Sequence, residues 1–250
     1  MMNQRDTELL LSFDPQALER CSLIADILDA EFDEPAMEYG LLGLADERAP
    51  FHVLATPLLV GQSVSPSRVE QPGRQVLRMR DEVDALSRQM QRSLVPIAFI
   101  HRHNRSCDAS VTDHVFLRGV FIDQVSTVVS FEEMRRIDAT APPCACSEMR
   151  SLFGEASANG NEFVELGGEY AVAFSLIVNQ MREHRVYAVR KTTCPSCGRY
   201  EVRGVPARIT PDPRCLVSAP DHAAMRSQLV REIEKKIRFA PNLGVVGALP

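Results

Sequence analysis

The stretch LVPIAFIHRHNRSCDASVTDHVFLRGVF, residues 94–121, decides how this chain is read. It opens on an apolar run, Leu94 to Ile100, which predicts a buried strand. His101 and His103 stand at the C-terminal end of that run. Side chains alternate between the two faces of a strand, so both imidazoles are expected on one face, roughly 7 Å apart at the backbone. A polar loop follows. From Ser110 the pattern turns helical, with Ser110 or Thr112 placed to cap the first turn. Asp113 sits in that turn and can fold back over the loop as a third metal ligand. Two imidazoles and a carboxylate leave one tetrahedral position open for water, which distinguishes a catalytic zinc from a structural one. Such a water becomes a nucleophile near neutral pH, and the ion can polarise a carbonyl. Asp108 and Cys107, inside the loop, are the competing donors.

Working outward, Asp14-Pro15 predicts a helix start, with Asp as N-cap and Pro in the first turn. Leu18, Cys21, Ile24 and Leu28 recur behind it at helical spacing. YGLLGLA (39–45) and FHVLATPLLV (51–60) read as two strands joined by a turn, a hairpin. Val76, Met79, Val83, Leu86 and Met90 line one stripe of a second helix. QVSTVVSF (124–131) reads as a strand. EYAVAFSLIVN (169–179) and HRVYAVRKT (184–192) predict another hairpin. Asp221 is expected to cap a last helix carrying Met225, Leu229, Ile233 and Ile237 on one face. Residues 132–168 hold Pro-Pro-Cys-Ala-Cys and a Gly/Asn-rich patch, and read as an insertion or long functional loop. The order implies one α+β domain with a mixed or antiparallel sheet between helices.

Composition narrows the function classes. The 250 residues are 45% apolar and 24% charged, with a net charge of −5, as in an ordinary globular protein. The acidic balance argues against nucleic-acid binding, which favours a basic face. No apolar run approaches the ~18 residues needed to span a bilayer, and the N-terminus lacks the pattern of a secretory signal. A cytoplasmic protein is expected. Of the seven cysteines, Cys144/Cys146 and Cys194/Cys197 form tight pairs, which in a reducing compartment suggest metal more than disulfide.

His101-Arg-His103, six residues, then Ser110-Val-Thr-Asp113 resembles the JAMM motif of the MPN (JAB domain) zinc metalloproteases, here of the prokaryotic JAB type. That motif also has an upstream glutamate, matched by Glu38 in AMEYGLLGLA just before the first strand of the hairpin, with Glu34 as its rival. The likeness covers roughly residues 30–195 in element order. The loop is one residue shorter than usual, and Asn104 stands where the family commonly has proline. The resemblance implies an α+β, cytidine-deaminase-like fold: a mixed sheet flanked by helices, followed here by a small C-terminal Cys knuckle and helix. It implies zinc on His101, His103 and Asp113. Glu38 would carry a proton from the attacking water to the leaving amine. Ser110 would help hold the oxyanion, besides serving as a helix cap. The implied reaction is hydrolysis of peptide or isopeptide bonds in a ubiquitin-like protein or conjugate, as in deubiquitinases. An activating protein partner or a homodimer is compatible with it, and neither nucleic acid nor membrane is expected. The other readings are a catalytically silent MPN scaffold, a peptidase trimming the tail of a sulfur-carrier protein, and a nucleic-acid-binding zinc ribbon.

Cys194-Pro-Ser-Cys197-Gly is half a zinc ribbon, to which Cys144 and Cys146 would add the other half as a second, structural zinc site. Pro-Cys-Ala-Cys does not match the zinc deaminases, because their His-x-Glu element is missing and the cysteine spacing differs. The expected organisation is an N-terminal helical segment (1–30), a metallopeptidase domain (31–193) and a terminal knuckle with a helix (194–250).

Overall fold

The computed structural model describes residues 8–31, 39–59, 62–65, 68–70, 79–103, 106–125, 127–128, 169–179, 183–210 and 222–239. In chain order, β1 (Leu9–Phe13) leads to α1 (Pro15–Glu31), then β2 (Gly40–Asp46), β3 (Ala49–Ala55), β4 (Gln62–Ser65) and β5 (Arg68–Glu70). Next come α2 (Arg80–Met90) and β6 (Leu94–Arg102). A helical run, α3, follows as an α turn (Val111–Val115), a π-helical segment (Phe116–Phe121) and a second α turn (Ile122–Val125). β7 (Thr127–Val128), β8 (Glu169–Val178), β9 (His184–Thr193), β10 (Tyr200–Val205), β11 (Ala207–Thr210), α4 (His222–Lys236) and β12 (Ile237–Phe239) complete the order.

The first helix begins where its cap predicts. The Asp14 carboxylate accepts from the Gln16 N–H at 2.9 Å, and the Asp14 carbonyl takes the first helical bond, from Leu18 N–H at 3.1 Å. Leu18, Cys21, Ile24 and Leu28 are all buried. In α2, Asp81 and Glu82 fall in the first turn and Arg88 in the last, each complementing the helix dipole. Met79 and Val83 of the expected stripe are buried, and Leu86 and Met90 half-buried. Val76 and Asp221 lie outside the described residues.

Among the described residues, nine strands form the main sheet: eight in the order β10-β9-β8-β6-β2-β3-β1-β11, with β7 paired to β8 beside that path. The sheet is mixed: β6 runs parallel to β8, and β1 parallel to both β3 and β11. Both expected hairpins are present, as antiparallel β2/β3 and β8/β9. β10 and β11 sit at opposite ends of the order, yet only Pro206 separates them in sequence. The sheet must therefore curl until its ends nearly meet. The Leu9 N–H reaches the Pro206 carbonyl at 2.8 Å, and β11 comes within 8 Å of β9 between Cα atoms. Proline fits there, because the end of an edge strand needs no N–H for the ladder.

Helices cover both faces. Leu18, Ile24 and Leu28 of α1 share one core with Leu229 and Ile233 of α4 and with Ile100 and Phe174 of the sheet. Val83 of α2 and Leu117 and Phe121 of α3 share the other core with Leu42 and Phe99. The arrangement is α+β, with a nearly closed mixed sheet between helices. The N-terminal segment, expected as helical, contains β1 as well as α1, and β1 is hydrogen-bonded into the sheet. The C-terminal segment likewise adds β10 and β11 between the knuckle and the last helix, and α4 shares its core with α1. No helix among the described residues is long and apolar enough to cross a membrane.

β2 is buried along its whole length and pairs with β6 in register from Gly40↔His101 to Asp46↔Leu94, with one shift after Gly43. A Cβ on Gly43 would lie 2.8 Å from Cβ of Ala98, closer than two carbons can approach. Gly43→Ala is expected to lower stability by about 1–3 kcal/mol through overpacking, read as a shift in the urea midpoint. An unchanged midpoint would show that these strands have slack at this point.

Candidate metal centre

His101 is the penultimate residue of β6, flanked in register by Gly40 of β2 and Ile177 of β8. The strand bonds continue one step past β6, because the His103 N–H donates to the Val178 carbonyl at 2.9 Å. Both histidine backbones are thus fixed by β8. The two rings project to the same side, with their Nε2 atoms 3.1 Å apart. Phe99, two residues earlier on the same face, stacks on His101 with ring centroids 4.8 Å apart and planes 20° from parallel. Phe99 also meets Phe116 edge-on at 5.0 Å and lies 6.1 Å from Phe121, so one aromatic group ties α3 to the strand that bears the histidines.

Asp113 arrives from the other side. Ser110 is the N-cap of α3 in a full capping box: its Oγ accepts from the Asp113 N–H at 3.2 Å, and the Asp113 carboxylate accepts from the Ser110 N–H at 2.6 Å. The same carboxylate places Oδ1 3.3 Å from His101 Nε2 and Oδ2 3.4 Å from His103 Nε2. The helix therefore starts on the residue that completes the site. The segment after this first turn is π-helical, with the Ile122 N–H reaching back to the Leu117 carbonyl. That wider winding occurs mainly as short insertions near functional sites.

Charge and tautomer suit a cation. Burial lowers the pKa of His101, partly opposed by the Asp113 carboxylate, so the ring stays neutral at neutral pH and keeps a lone pair. Burial alone would raise Asp113, but its bonds to His101 and His103 outweigh that and hold the carboxyl well below the usual range. His103 Nδ1 lies 3.2 Å from the Ser106 carbonyl, which only accepts. Nδ1 thus carries the hydrogen, which leaves the Nε2 lone pair of the neutral ring on the side of His101 and Asp113.

A tetrahedral ion with bonds near 2.1 Å spaces its ligands about 3.4 Å apart. The approaches here are 3.1, 3.3 and 3.4 Å. Taking one donor atom from each residue, all three lie within 4.8 Å of one another. The carboxylate meets the two rings with different oxygens. His101, His103 and Asp113 form a group able to hold a metal ion.

The competing donors point elsewhere. Asp108 pairs with Arg185 and accepts from Ser106 Oγ, and the Cys107 thiol donates to the Glu183 carbonyl. Glu38 and its rival Glu34 lie outside the described residues, as do Asn104, Cys144 and Cys146. The knuckle is formed as expected of a CxxCG turn. The Gly198 N–H donates to the Cys194 carbonyl, and the Cys194 N–H to the Arg199 carbonyl, both at 2.9 Å. Gly198 takes φ +68°, which glycine adopts without strain. Cys194 is buried and Cys197 exposed, and neither is in a disulfide. Two contributors to the site were not anticipated. Phe99 lies hidden in an apolar run, and Tyr187, whose hydroxyl accepts from the Ala109 N–H at 3.1 Å, is far away in sequence.

No protein-family model matches the chain, and no curated protein matches it significantly.

Proposed function

We propose that the chain is a JAMM-type zinc metallopeptidase that hydrolyses peptide or isopeptide bonds in ubiquitin-like proteins or their conjugates. The observation that carries this reading is the meeting of His101, His103 and Asp113, with donor atoms within 4.8 Å of one another and Ser110 capping the helix that delivers the carboxylate. A zinc ion held there would supply Lewis acidity and a water acidic enough to react near neutral pH. His101 and His103 offer Nε2 lone pairs, and Asp113 offsets the positive charge. Ser110 Oγ accepts from the Asp113 N–H, which leaves its own O–H to donate to the carbonyl oxygen where negative charge develops. Glu38 fills the remaining role, taking a proton from the attacking water and giving it to the leaving amine. Gly40, two residues after Glu38, is the register partner of His101.

The test uses zinc-loaded protein and a panel of linear fusions and isopeptide conjugates of ubiquitin-like proteins, with a sulfur-carrier tail among them. Cleavage is expected to stop on chelation. Glu38→Gln is expected to abolish turnover while leaving the zinc content at the parent value. A loaded protein that leaves the whole panel intact would remove the peptidase reading in favour of a scaffold.

A further inference from the structure

Asp113 is only as well placed as the first turn of α3, and that turn rests on a residue from another strand. Register puts Tyr187 of β9 opposite Ser175 of β8, and Ser175 opposite Phe99 of β6. Tyr187 thus stands on the same face of the sheet as Phe99 and His101, two strands away. From there its side chain touches both flanks of the ligand-bearing turn. On the N-terminal flank, the Ala109 N–H donates to the phenol oxygen at 3.1 Å. Ala109 directly precedes Ser110, whose N–H holds the Asp113 carboxylate at 2.6 Å. On the C-terminal flank, the His114 ring, next to Asp113 in sequence, meets the Tyr187 ring edge to face at 5.4 Å and 88°. One phenol therefore brackets residues 110–113. Among the described residues, this loop is also linked to the start of β9 by an exposed ion pair, Arg185–Asp108, whose guanidinium also meets the Tyr187 side chain, and by the bond from the Cys107 thiol to the Glu183 carbonyl.

We infer that Tyr187 is a positioning residue: its hydroxyl and ring fix the first turn of α3 so that the Asp113 carboxylate faces both imidazoles, and it thereby sets the affinity and coordination geometry of the metal centre. The inference rests on the metal-binding reading of His101, His103 and Asp113. The physical reason is leverage. A capping box fixes Asp113 relative to Ser110 but not relative to β6, and a turn that rocks on its loop carries the carboxylate away from both rings. Outer partners that orient a metal ligand typically alter affinity by about 10–100-fold when removed. The surface ion pair contributes little, because solvent screens both charges.

The experiment compares the parent with Tyr187→Phe, Asp108→Asn and His103→Ala. Zinc affinity is measured by competition with a chromophoric chelator, the visible spectrum of the cobalt-substituted protein is recorded, and the melting temperature of each metal-free protein is determined. Tyr187→Phe keeps the ring against His114 and removes only the hydroxyl. It is expected to weaken zinc binding on the order of tenfold and to shift the cobalt d–d bands, with the metal-free melting temperature near that of the parent. Asp108→Asn is expected to match the parent in affinity and spectrum. If Tyr187→Phe matches the parent while His103→Ala loses the metal, the inference fails and the metal centre stands. If Asp108→Asn behaves like Tyr187→Phe, the loop as a whole sets the geometry, and the assignment to Tyr187 falls. Absence of binding in the parent overturns the metal reading itself.

Discussion

His103→Ala is expected to strip the chain of its zinc. The parent, purified with metal supplied, should carry one zinc on the three-residue centre, and the variant close to none from it. Each of the three residues also serves the fold. Asp113 closes the capping box of α3, so replacing it would disturb the helix start as well as the site. His101 is buried beneath the loop and stacked on Phe99, so removing it leaves a cavity. His103 is the ligand with the least structural duty: its ring is partly exposed, and its backbone bond to Val178 survives truncation. Its loss leaves one imidazole and one carboxylate. Removing an outer partner alone costs about 10–100-fold in affinity, so losing a direct ligand should cost more than about 100-fold. Elemental analysis of the two proteins, with their unfolding curves compared, separates ligand loss from misfolding. A second zinc retained in His103→Ala would be assigned to the Cys194/Cys197 knuckle. A parent that takes up no zinc, or a variant with the same content, would end the metallopeptidase reading.

The second large effect is expected far from that centre. Glu232 of α4 pairs with Arg20 of α1, and its Oε1 accepts from Lys236 Nζ at 2.9 Å and from the Leu58 N–H at 3.3 Å. Lys236 also pairs with Glu82 of α2 and donates to the Leu58 carbonyl, while Arg20 Nε donates to the Thr56 carbonyl. α1 and the segment after β3 therefore meet the Glu232 carboxylate of α4 directly, and α2 joins the group through Lys236. The side chains of Arg20, Glu232 and Lys236 are all under a fifth exposed (18%, 14% and 9%), so solvent screens the group only weakly. Removing one partner of such a pair leaves a half-desolvated cation uncompensated, at a cost of about 3–5 kcal/mol. Glu232→Gln keeps the shape, and its unfolding free energy at pH 7, measured by urea titration, should fall by the lower end of that range.

The pH dependence carries a definite sign. Burial would raise Glu232, but the charges of Arg20 and Lys236 outweigh it and lower the carboxyl below its usual value near 4.5. A depressed folded-state pKa means the contribution is present above the unfolded value and lost as pH falls through the folded one. The stability gap between parent and Glu232→Gln should therefore hold at neutral pH and close progressively below about pH 4.5. A gap that persists unchanged into strong acid, or no gap at pH 7, would refute the electrostatic account.

Much of the candidate centre was legible because its signals are local. The Asp14-Pro15 start, the apolar run ending in His101-Arg-His103 and the Ser110-x-x-Asp113 cap each rest on atoms only a few residues apart. Period two placed both imidazoles on one face, and cap geometry brought the carboxylate to the helix start. The parts that escaped the reading are those whose partners lie far along the chain. β10 is mostly exposed and mixes Glu, Arg and Gly with its apolar residues, so its ladder comes from pairing with β9, not from a strand-like pattern of its own. β1 is a run of three leucines that could serve helix or strand, and it becomes a strand because β3 and β11 flank it.

By itself, then, the sequence determined the elements with strong local signals, their amphipathic faces, and the placing of two histidines at a strand end and an aspartate in the next helical turn. The tertiary structure alone decided what holds that arrangement still. Phe99 beneath His101 follows from α3 packing on β6, the phenol beside Ala109 comes from 78 residues away, and the carboxylate that locks α1 to α4 lies 212 residues from its arginine. Capping and strand alternation are short-range backbone geometry, which each segment carries within itself. A contact between distant residues exists only after chain entropy has been overcome by burying two apolar faces of one sheet, and no local pattern encodes which distant side chain will then be in reach.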